Sequence, residues 1–235
     1  MSVKEAVILS GGSGTRLRSI TQNKIPKPMT KIKGISILEW QLQWLSREGV
    51  SHTILAVGHL NEKIKSYFGS SYSSKFGDID ISYSVEKEKL GTGGAFKSAK
   101  SFITENEVYV LNGDIMCNTD LTEMNNIHFI NNAHATMMVY NMISPYGIVK
   151  IGNENLIYDF IEKPQLDIPI NAGLSIISKD IIDRFPNKGQ METTIFRELT
   201  NERKFYSYLI PNENFWMSID TEKDYIIANE SWNGV

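Results

Sequence analysis

The chain has 235 residues, of which 41% are hydrophobic and 22% charged, with a formal net charge of −3 at pH 7, and this composition fits one compact globular domain over residues 1–235. The weak negative charge argues against nucleic acid or an anionic membrane as the main partner. Cys117 is the only cysteine, which excludes a disulfide within the chain, and no apolar stretch approaches the roughly 20 residues that cross a bilayer, so we expect a cytoplasmic protein.

The first half of the chain alternates between strand-like and helix-like segments. Apolar and β-branched runs predict strands at 5–10, 53–57, 79–85 and 107–111. Helical patterns lie between them, at 36–48, 60–69 and 93–103, and the first of these opens on a capping-box pattern, Ser36 with Glu39. The alternation predicts an α/β protein with a mostly parallel mixed sheet and helices on both faces, a three-layer α/β/α, Rossmann-like architecture.

The second half has a different pattern of shorter elements. Strand-like runs lie at 135–141, 147–151, 156–161 and 172–178, and helices are predicted around 194–202 and 221–232. The chain shows neither an internal repeat nor a Pro/Gly-rich linker. We therefore expect one domain whose second half adds strands and a lid-like subregion.

A glycine-rich turn, Gly11-Gly12-Ser13-Gly14-Thr15-Arg16, follows the first predicted strand. Glycines allow consecutive backbone N–H groups to converge on phosphate oxygens, and Arg16 adds a planar cation suited to a polyphosphate. A plain strand-to-helix turn is the alternative interpretation of the glycines alone. The turn matches neither the P-loop nor the G-x-G-x-x-G fingerprint, because Leu17 occupies the third glycine position of the latter.

A second motif follows the glycine-rich turn, where Lys27 stands between Pro26 and Pro28 on a stiff segment. The glycine-rich turn and this Pro-Lys-Pro motif together resemble the signature of the sugar-1-phosphate nucleotidyltransferases. That family includes mannose-1-phosphate and heptose-1-phosphate guanylyltransferases and glucose-1-phosphate thymidylyl- and cytidylyltransferases. The resemblance implies the GT-A-like fold of nucleotide-diphospho-sugar transferases and extends over nearly the whole chain.

Two further motifs resemble the nucleotide-binding part of the family. Residues 86–94 read EKEKLGTGG, which is similar to a family segment that holds the base, and the resemblance gives Glu86, Gly91 and Thr92 roles in nucleotide binding. Asn112-Gly113-Asp114 follows a strand, at the sheet edge that faces the ligand crevice in parallel sheets. The resemblance implies that Asp114 is a ligand of Mg²⁺.

Three motifs resemble the sugar-binding part of the family, namely Tyr146-Gly147-Ile148-Val149, Glu162-Lys163-Pro164 and Asn171-Ala172-Gly173. The resemblance implies that Lys163 contacts the sugar phosphate and that Glu162 and Asn171 hydrogen-bond sugar hydroxyls. It also implies that Gly147 allows the backbone to approach the sugar. Taken singly, each tripeptide is typical of an ordinary turn.

The last motif departs from the commoner family pattern. Residues 216–221 read WMSIDT, so that Ser218 stands where many members have a metal-binding aspartate and Asp220 stands where they have glycine. This form resembles the glucose-1-phosphate cytidylyltransferase branch. We assign the second Mg²⁺ ligand to Asp220, because a serine hydroxyl cannot replace the charge of a carboxylate.

The family reaction is an in-line attack of a sugar 1-phosphate oxygen on the α-phosphorus of a nucleoside triphosphate, with release of pyrophosphate. We expect Arg16 and the N–H groups of the glycine-rich turn to hold the pyrophosphate, Lys27 to support the α-phosphate, and Lys163 to align the attacking phosphate. The nucleotide-binding half would span about residues 1–115, and the sugar-phosphate-binding half about 116–235.

Glu86 indicates which base the protein uses. An ionised carboxylate only accepts hydrogen bonds, and guanine offers two adjacent donors, which favours GTP with mannose or manno-heptose 1-phosphate. The alternatives are CTP with glucose 1-phosphate, favoured by Asp220, and a relative that uses UTP or dTTP. A non-catalytic nucleotide-sugar-binding regulator is the rival from another class, although the charged site residues are all present. A homodimer is left open.

Overall fold

The structure, a computed structural model, describes residues 2–12 and 14–235 and is built on a large β-sheet. Its strands are β1 (Glu5–Ser10), β2 (Lys31–Ile32), β3 (Ile35–Ser36), β4 (His52–Val57), β5 (Ser71–Ser74), β6 (Gly77–Val85), β7 (Glu107–Asn112), β8 (Ile115–Cys117), β9 (Ala135–Ile143), β10 (Ile148–Ile151), β11 (Ile157–Ile161), β12 (Gln165–Ser178), β13 (Phe205–Leu209) and β14 (Trp216–Ser218). Its helices are α1 (Arg18–Thr21), α2 (Ile37–Arg47), α3 (Asn61–Phe68), α4 (Gly91–Ser98), α5 (Thr122–Ile130), α6 (Ile195–Glu202) and α7 (Glu222–Ser231).

Eight of these strands form the main sheet, in the order β13-β9-β12-β7-β1-β4-β6-β5. Strand β12 runs antiparallel to β7 and β9, and β5 runs antiparallel to β6, whereas the other neighbours pair in parallel. Side chains of β1 alternate between two cores, since Ala6 and Ile8 face one core and Val7 faces the other. Helices α2, α3 and α5 contribute to the first core and α4 and α6 to the second. The predicted three-layer fold with a mostly parallel mixed sheet is confirmed.

Local sequence signals placed several elements correctly. Strand β1 has the predicted bounds, and α2 begins after Ser36, whose hydroxyl accepts a hydrogen bond from the Glu39 amide while the Glu39 carboxylate accepts one from the Ser36 amide. The helix predicted at 93–103 is shorter and begins earlier. Helix α4 ends at Ser98, and a separate 3₁₀ turn spans Lys100–Phe102.

Other elements had no clear signal in the sequence. Helix α5 was not predicted, because polar side chains occupy its buried face. Among them, Asn125 accepts a hydrogen bond from the Tyr109 hydroxyl at 2.6 Å, and His128 lies between Glu107 and Thr136. Strand β12 begins seven residues before the predicted start at 172, because its first part pairs with the end of β9.

Two of the two-stranded sheets outside the main sheet bear on the site. Strands β8 and β14 form a two-stranded antiparallel ribbon, in which the single thiol, Cys117, is 2% exposed, and burial raises the pKa of this thiol to about 12. Strands β10 and β11 form a hairpin beyond the paired ends of β9 and β12. We refer to residues 143–168, which contain this hairpin, as the arm.

Within residues 2–12 and 14–235, none of the helices combines the length and the apolar character that crossing a membrane would require.

Candidate active site

The sequence-predicted nucleotide residues gather at the carboxyl ends of β1 and β7, which are neighbours in the sheet. The turn after β7 carries Asp114, and the glycine-rich turn follows β1. Within that turn, Ser13 lies outside the described residues. Gly14 adopts a left-handed conformation with φ of 57°, and Thr15 and Arg16 follow it as exposed residues of a 3₁₀ turn.

The Lys27 ammonium forms the centre of a charged cluster. It lies 2.6 Å from Asp114 Oδ2 and 2.7 Å from Asp220 Oδ1, and its side chain is only 12% exposed. Arg16 lies on the outer side of the same cluster, with its guanidinium 2.9 Å from Asp220 Oδ1. Two cations from the start of the chain therefore meet two carboxylates from its middle and its last part.

The ribbon of β8 and β14 explains why the two aspartates meet. Asp114 directly precedes β8, and Asp220 lies two positions after Ser218, the last residue of β14. The ribbon pairs Ile115 with Ser218, and beyond this pair the Ile219 amide donates to the Asp114 carbonyl at 2.9 Å. The backbone register thus brings both carboxylates to one end of the ribbon.

Gln41 also secures the Asp114 turn, and the sequence analysis missed it. This side chain lies on α2, is 2% exposed, and donates from Nε2 to the carbonyls of Asn112 and Ile115, at 2.8 and 3.0 Å. A glutamine inside the apolar face of a helix was the available signal, because a buried amide needs hydrogen-bond partners.

Asp220 has a strongly charged environment. Burial alone would raise the pKa of this carboxyl, but hydrogen bonding and charge from Lys27, the charge of Arg16 and the Ser218 hydroxyl outweigh burial, so the pKa is lowered. Ser218 donates to Asp220 Oδ2 at 3.2 Å. The serine that replaces the commoner aspartate therefore supports the carboxylate two residues further on.

A cavity of about 580 Å³ opens beside this cluster. It is lined by Leu9, Ser10, Gly11, Gly12, Lys27, Pro28, Glu86, Lys89, Leu90, Gly91, Thr92, Ala95, Asn112, Gly113, Asp114, Lys188, Gly189 and Gln190. The volume falls in the range of ordinary small-molecule sites. Of the residues that the sequence analysis assigned to the nucleotide half, Gly11, Gly12, Lys27, Glu86, Gly91, Thr92 and Asp114 line it.

Glu86 forms part of the cavity wall beside the glycine-rich turn. A Cβ atom added to Gly11 would lie 2.4 Å from Glu86 Oε1, so only glycine allows the carboxylate to approach so closely. Glu86 Oε2 accepts a hydrogen bond from the Leu90 amide at 3.2 Å. Burial raises the pKa of Glu86, and this hydrogen bond offsets the effect only in part.

The opposite wall, residues 186–192, was missed by the sequence analysis. The Gly189 carbonyl accepts from the amides of Gly93 and Gly94, and the Gly189 amide donates to the Leu90 carbonyl. The Thr92 hydroxyl also binds this wall. It donates a hydrogen bond to Glu192 Oε2 at 2.7 Å and accepts one from the Met191 amide. A loop this far from Thr92 in the sequence carried no recognisable binding motif.

An ion pair also links the segment that precedes α4 to the wall at 186–192. Lys188 Nζ lies 2.5 Å from Glu88 Oε2, and both side chains are about two-thirds exposed. Such an exposed pair contributes little to stability.

The predicted sugar residues lie further out, on the arm and on β12. The Lys163 ammonium pairs with the Glu162 carboxylate at 2.9 Å, and both side chains are more than half exposed. Gly147 lies under the Phe160 ring and Glu162. None of these residues, within the described part of the chain, lines the 580 Å³ cavity.

Asn171 connects the two regions. Its Oδ1 accepts from the Gly173 amide at 2.8 Å, and it lines a small second cavity together with Leu9 and Asn112, which also line the large one. The sugar residues of the arm are therefore joined to the nucleotide residues through β12 rather than by direct contact.

Comparisons with known proteins show a family likeness over nearly the whole chain. A family model described as nucleotidyl transferase matches residues 5–233. The chain is 35% identical over 224 residues to D-glycero-alpha-D-manno-heptose 1-phosphate guanylyltransferase of Campylobacter jejuni, covering 94% of this chain and 96% of that relative. It is also 35% identical over 230 residues to mannose-1-phosphate guanyltransferase beta-A of Xenopus laevis, and there the match spans only 62% of the relative's length.

A solved structure extends the likeness to three dimensions. The crystal structure of HddC from Yersinia pseudotuberculosis complexed with GMP-PN aligns with a TM-score of 0.74 and 27% identity, covering 98% of this chain and 100% of that one. The family match covers nearly the whole chain, and the fold agrees with it. The chain belongs to the nucleotidyl transferase family.

Proposed function

We propose that the protein is a sugar-1-phosphate guanylyltransferase, which uses GTP and mannose or manno-heptose 1-phosphate and releases pyrophosphate. The observation that carries the choice of base is Glu86, a partly buried carboxylate in the wall of a nucleotide-sized cavity. The names of the guanylyltransferase relatives support the same choice. The nucleotide would occupy the half formed by residues 1–115 and the sugar phosphate the half formed by residues 116–235.

Glu86 is suited to guanine because, among residues 2–12 and 14–235, only the Leu90 amide donates a hydrogen bond to its carboxylate. A desolvated carboxylate gains when donors approach it. Guanine presents N1–H and N2–H side by side, whereas uracil and thymine present one ring donor between two carbonyls. Cytosine presents only its amino group on that edge. Guanine therefore compensates the burial of this carboxylate better than the other bases do.

The charged cluster is suited to the triphosphate. Arg16 and the backbone N–H groups of Gly11 and Gly12 would hold the phosphates that leave, and Lys27 would support the α-phosphate. An oxygen of the sugar phosphate forms a bond to the α-phosphorus, while the bond from that phosphorus to the bridging oxygen breaks. The pair of electrons leaves on pyrophosphate, and the attacking oxygen is already an anion, so the reaction requires neither a strong base nor a covalent intermediate.

The same cluster fits a magnesium ion. Asp114 and Asp220 direct carboxylate oxygens towards one cation, the Lys27 ammonium, and Mg²⁺ is commonly held by one or two carboxylates together with substrate phosphates. The described residues contain no group of three or more His, Cys, Asp and Glu side chains that could hold a metal alone, which agrees with a site completed by phosphate. Asp114 and Asp220 would hold the ion, which would neutralise phosphate charge when bound.

Lys163, Glu162, Gly147 and Asn171 would bind the sugar phosphate. Lys163 would align the attacking phosphate, and Glu162 and Asn171 would accept hydrogen bonds from sugar hydroxyls. The side chains of Glu162, Lys163 and Asn171 are exposed, so a polar ligand can reach them from solvent.

The decisive experiment measures pyrophosphate release with each nucleoside triphosphate combined with each member of a panel of sugar 1-phosphates, in the presence of Mg²⁺. We expect the highest kcat/KM with GTP and mannose or manno-heptose 1-phosphate. The highest value with CTP and glucose 1-phosphate would instead identify the cytidylyltransferase alternative. Nucleotide-sugar binding without turnover of any pair would identify a non-catalytic regulator.

A further inference from the structure

The side chain of Asn112 lies at the junction of the two cavities. Strand β7 alternates between its faces, and Asn112 follows Val108 and Val110, which belong to the core that α4 and α6 cover. Asn112 is half-buried and lines both the 580 Å³ cavity and the small second cavity. Leu9, its partner in the register, lines both cavities as well, so the polar group at this junction is the amide of Asn112.

The backbone of Asn112 is held in place, and its side-chain amide is available to a ligand. The Asn112 carbonyl accepts a hydrogen bond from Gln41 Nε2 at 2.8 Å. Within the part of the chain that the structure describes, the side-chain amide makes no hydrogen bond. An asparagine amide offers two donors and an acceptor, and a half-buried amide is stabilised when a partner fills them.

The small cavity has the size of one hydroxyl group or one water molecule. Its volume is about 10 Å³, and a water-sized group needs roughly 10–15 Å³. The polar residues that line it are Asn112, Asn171, Ser175 and Glu192. A cavity of this size with several polar neighbours fits a single hydroxyl of a larger ligand.

The motif at residues 171–173 comes close to the Asn112 amide. Gly173 has φ of 80°, and a Cβ atom added there would lie 3.1 Å from Asn112 Nδ2. Asn171 lines the small cavity together with Asn112, but its Oδ1 already accepts from the Gly173 amide. The Asn112 amide therefore lies against the segment to which the proposed function assigns sugar binding.

The position of Asn112 relative to the charged cluster selects one sugar hydroxyl. Asn112 lies two residues before Asp114, whose carboxylate is 2.6 Å from the Lys27 ammonium. In the proposed reaction, the phosphate of the sugar must reach the α-phosphate beside this cluster. Carbon C1 carries that phosphate, and the hydroxyl on the adjacent carbon C2 is the nearest hydroxyl to it. A polar side chain next to the cluster therefore meets the C2 hydroxyl first.

We propose that Asn112 binds the C2 hydroxyl of the sugar 1-phosphate, with this hydroxyl seated in the small cavity. The inference rests on the proposed function and adds a specificity-determining residue to it. Mannose and manno-heptose share one configuration at C2, and glucose has the other. An amide fixed on one side of the sugar distinguishes the two, because a hydroxyl in the wrong configuration leaves the amide without its partner.

The test compares kcat/KM for mannose 1-phosphate, glucose 1-phosphate and their 2-deoxy analogue, with GTP and Mg²⁺, in wild type and Asn112→Ala. Removing the C2 hydroxyl from either sugar gives the same compound, so one analogue serves both. We expect Asn112→Ala to lower kcat/KM for mannose 1-phosphate roughly tenfold. The value for the 2-deoxy analogue should change less than about twofold, because the lost hydrogen bond does not exist there. The preference for mannose over glucose 1-phosphate should shrink.

Asn126→Ala is the matched control, because Asn126 is exposed on α5 and lines neither cavity. It should leave all three values unchanged. Asn112→Ser is measured in parallel, since its shorter side chain does not reach as far, and it should show the same selective loss. This variant also replaces Asn112→Ala if circular dichroism shows that the alanine variant does not fold.

Either of two results would overturn the proposal: an equal loss for mannose 1-phosphate and the 2-deoxy analogue, or no loss for either substrate. Failure of the proposed function is visible separately, in the wild type. If wild type prefers CTP with glucose 1-phosphate, the comparison of glucose 1-phosphate with the 2-deoxy analogue still decides the role of Asn112. If wild type turns over no pair, calorimetric Kd values for the same three sugar phosphates decide it by the same criterion.

Discussion

At the scale of single residues, one lysine accounts for the charge balance of the site. The Lys27 ammonium lies within 2.7 Å of both Asp114 and Asp220, so the protein compensates two partly buried carboxylates without any ligand. In the proposed reaction, the same ammonium must serve the α-phosphate. The triphosphate then competes with these two carboxylates for the charge of the Lys27 ammonium.

Replacing Lys27 should tighten the binding of a divalent ion to the nucleotide-free protein. Lys27→Met removes the ammonium that competes for the two carboxylates. Each of its two charge-assisted hydrogen bonds is worth about 1.5–3 kcal/mol, so their loss should lower the Kd for Mn²⁺ roughly 100-fold or more. Electron paramagnetic resonance titration measures this Kd. Lys24→Met, an exposed lysine of the same segment, is the control and should leave it unchanged; weaker binding in Lys27→Met would contradict the assigned ligands.

Replacing Glu86 should weaken the preference for GTP. Glu86→Gln exchanges an acceptor-only group for an amide that also donates, and losing hydrogen bonds to a charged group costs about 1.5–3 kcal/mol, or about 10–100-fold in kcat/KM for GTP. Glu88→Gln, in the same segment but exposed and paired with Lys188, should change kcat/KM little. An unchanged GTP preference in Glu86→Gln would show that another group recognises the base.

The raised pKa of Glu86 adds a pH dependence to this prediction. Burial raises the pKa of this carboxyl in the protein, so protonation begins at a higher pH than for an ordinary glutamate. The wild-type preference for GTP over the other nucleotides should therefore fade as pH falls through that raised pKa. Glu86→Gln should show no such fading, because its amide does not titrate.

At the scale of elements, the cavity depends on a close contact between the start of α4 and the wall at 186–192. Gly91 has φ of 75°, and a Cβ atom there would lie 2.6 Å from the Gly189 carbonyl oxygen. Both features require glycine. The two walls of the cavity are therefore fitted to each other at one backbone position.

Gly91→Ala should both destabilise the protein and reduce activity. A left-handed φ costs an alanine about 1–2 kcal/mol, and the added clash costs a further 1–3 kcal/mol, so the free energy of unfolding should fall by about 2–5 kcal/mol. Gly34→Ala is the control, since Gly34 has φ of 84° but nothing within 4 Å of its added Cβ, and it should show the φ cost alone. Urea unfolding and kcat/KM measure the two effects; equal losses in both variants would refute the role of the contact.

The elements also show which features a sequence can predict. Strand β1 and helix α2 were predicted because their signals are local: an apolar run stopped by glycines, and a capping box between Ser36 and Glu39. The early part of β12 and the wall at 186–192 were not predicted, because pairing with β9 and contact with α4 create them. The charged site residues were predicted through motif resemblance, whereas Gln41 was missed because it acts on the backbone of the Asp114 turn.

At the scale of the whole molecule, the last helix ties the two ends of the chain together around the site. Trp232, which follows α7, is 2% exposed and packs against Trp40 and Phe215. Leu17, next to Arg16, and Ile219, next to Asp220, belong to the same small core. The packing of this core therefore supports two of the charged site residues at once.

Trp232→Ala should affect stability and activity together. Removing a buried tryptophan costs about 3–5 kcal/mol, and kcat/KM should fall because the neighbours of Arg16 and Asp220 lose packing. Trp232→Phe keeps most of the ring contacts and removes an indole N–H that has no hydrogen-bond partner among the described residues, so it should cost less than about 1.5 kcal/mol. Chemical denaturation measures the free energy of unfolding, and steady-state kinetics measure kcat/KM. Full activity in a destabilised Trp232→Ala would show that this core does not support the site.

The ribbon of β8 and β14 has one practical consequence. Its thiol, Cys117, is sealed from solvent and protonated at neutral pH, so an alkylating reagent can reach it only when the ribbon opens. Because Asp114 and Asp220 sit at one end of this ribbon, the rate of alkylation measures how often the segment that carries these two aspartates opens. The alkylation rate of the native Cys117 therefore measures the opening of this segment, and no engineered cysteine is needed.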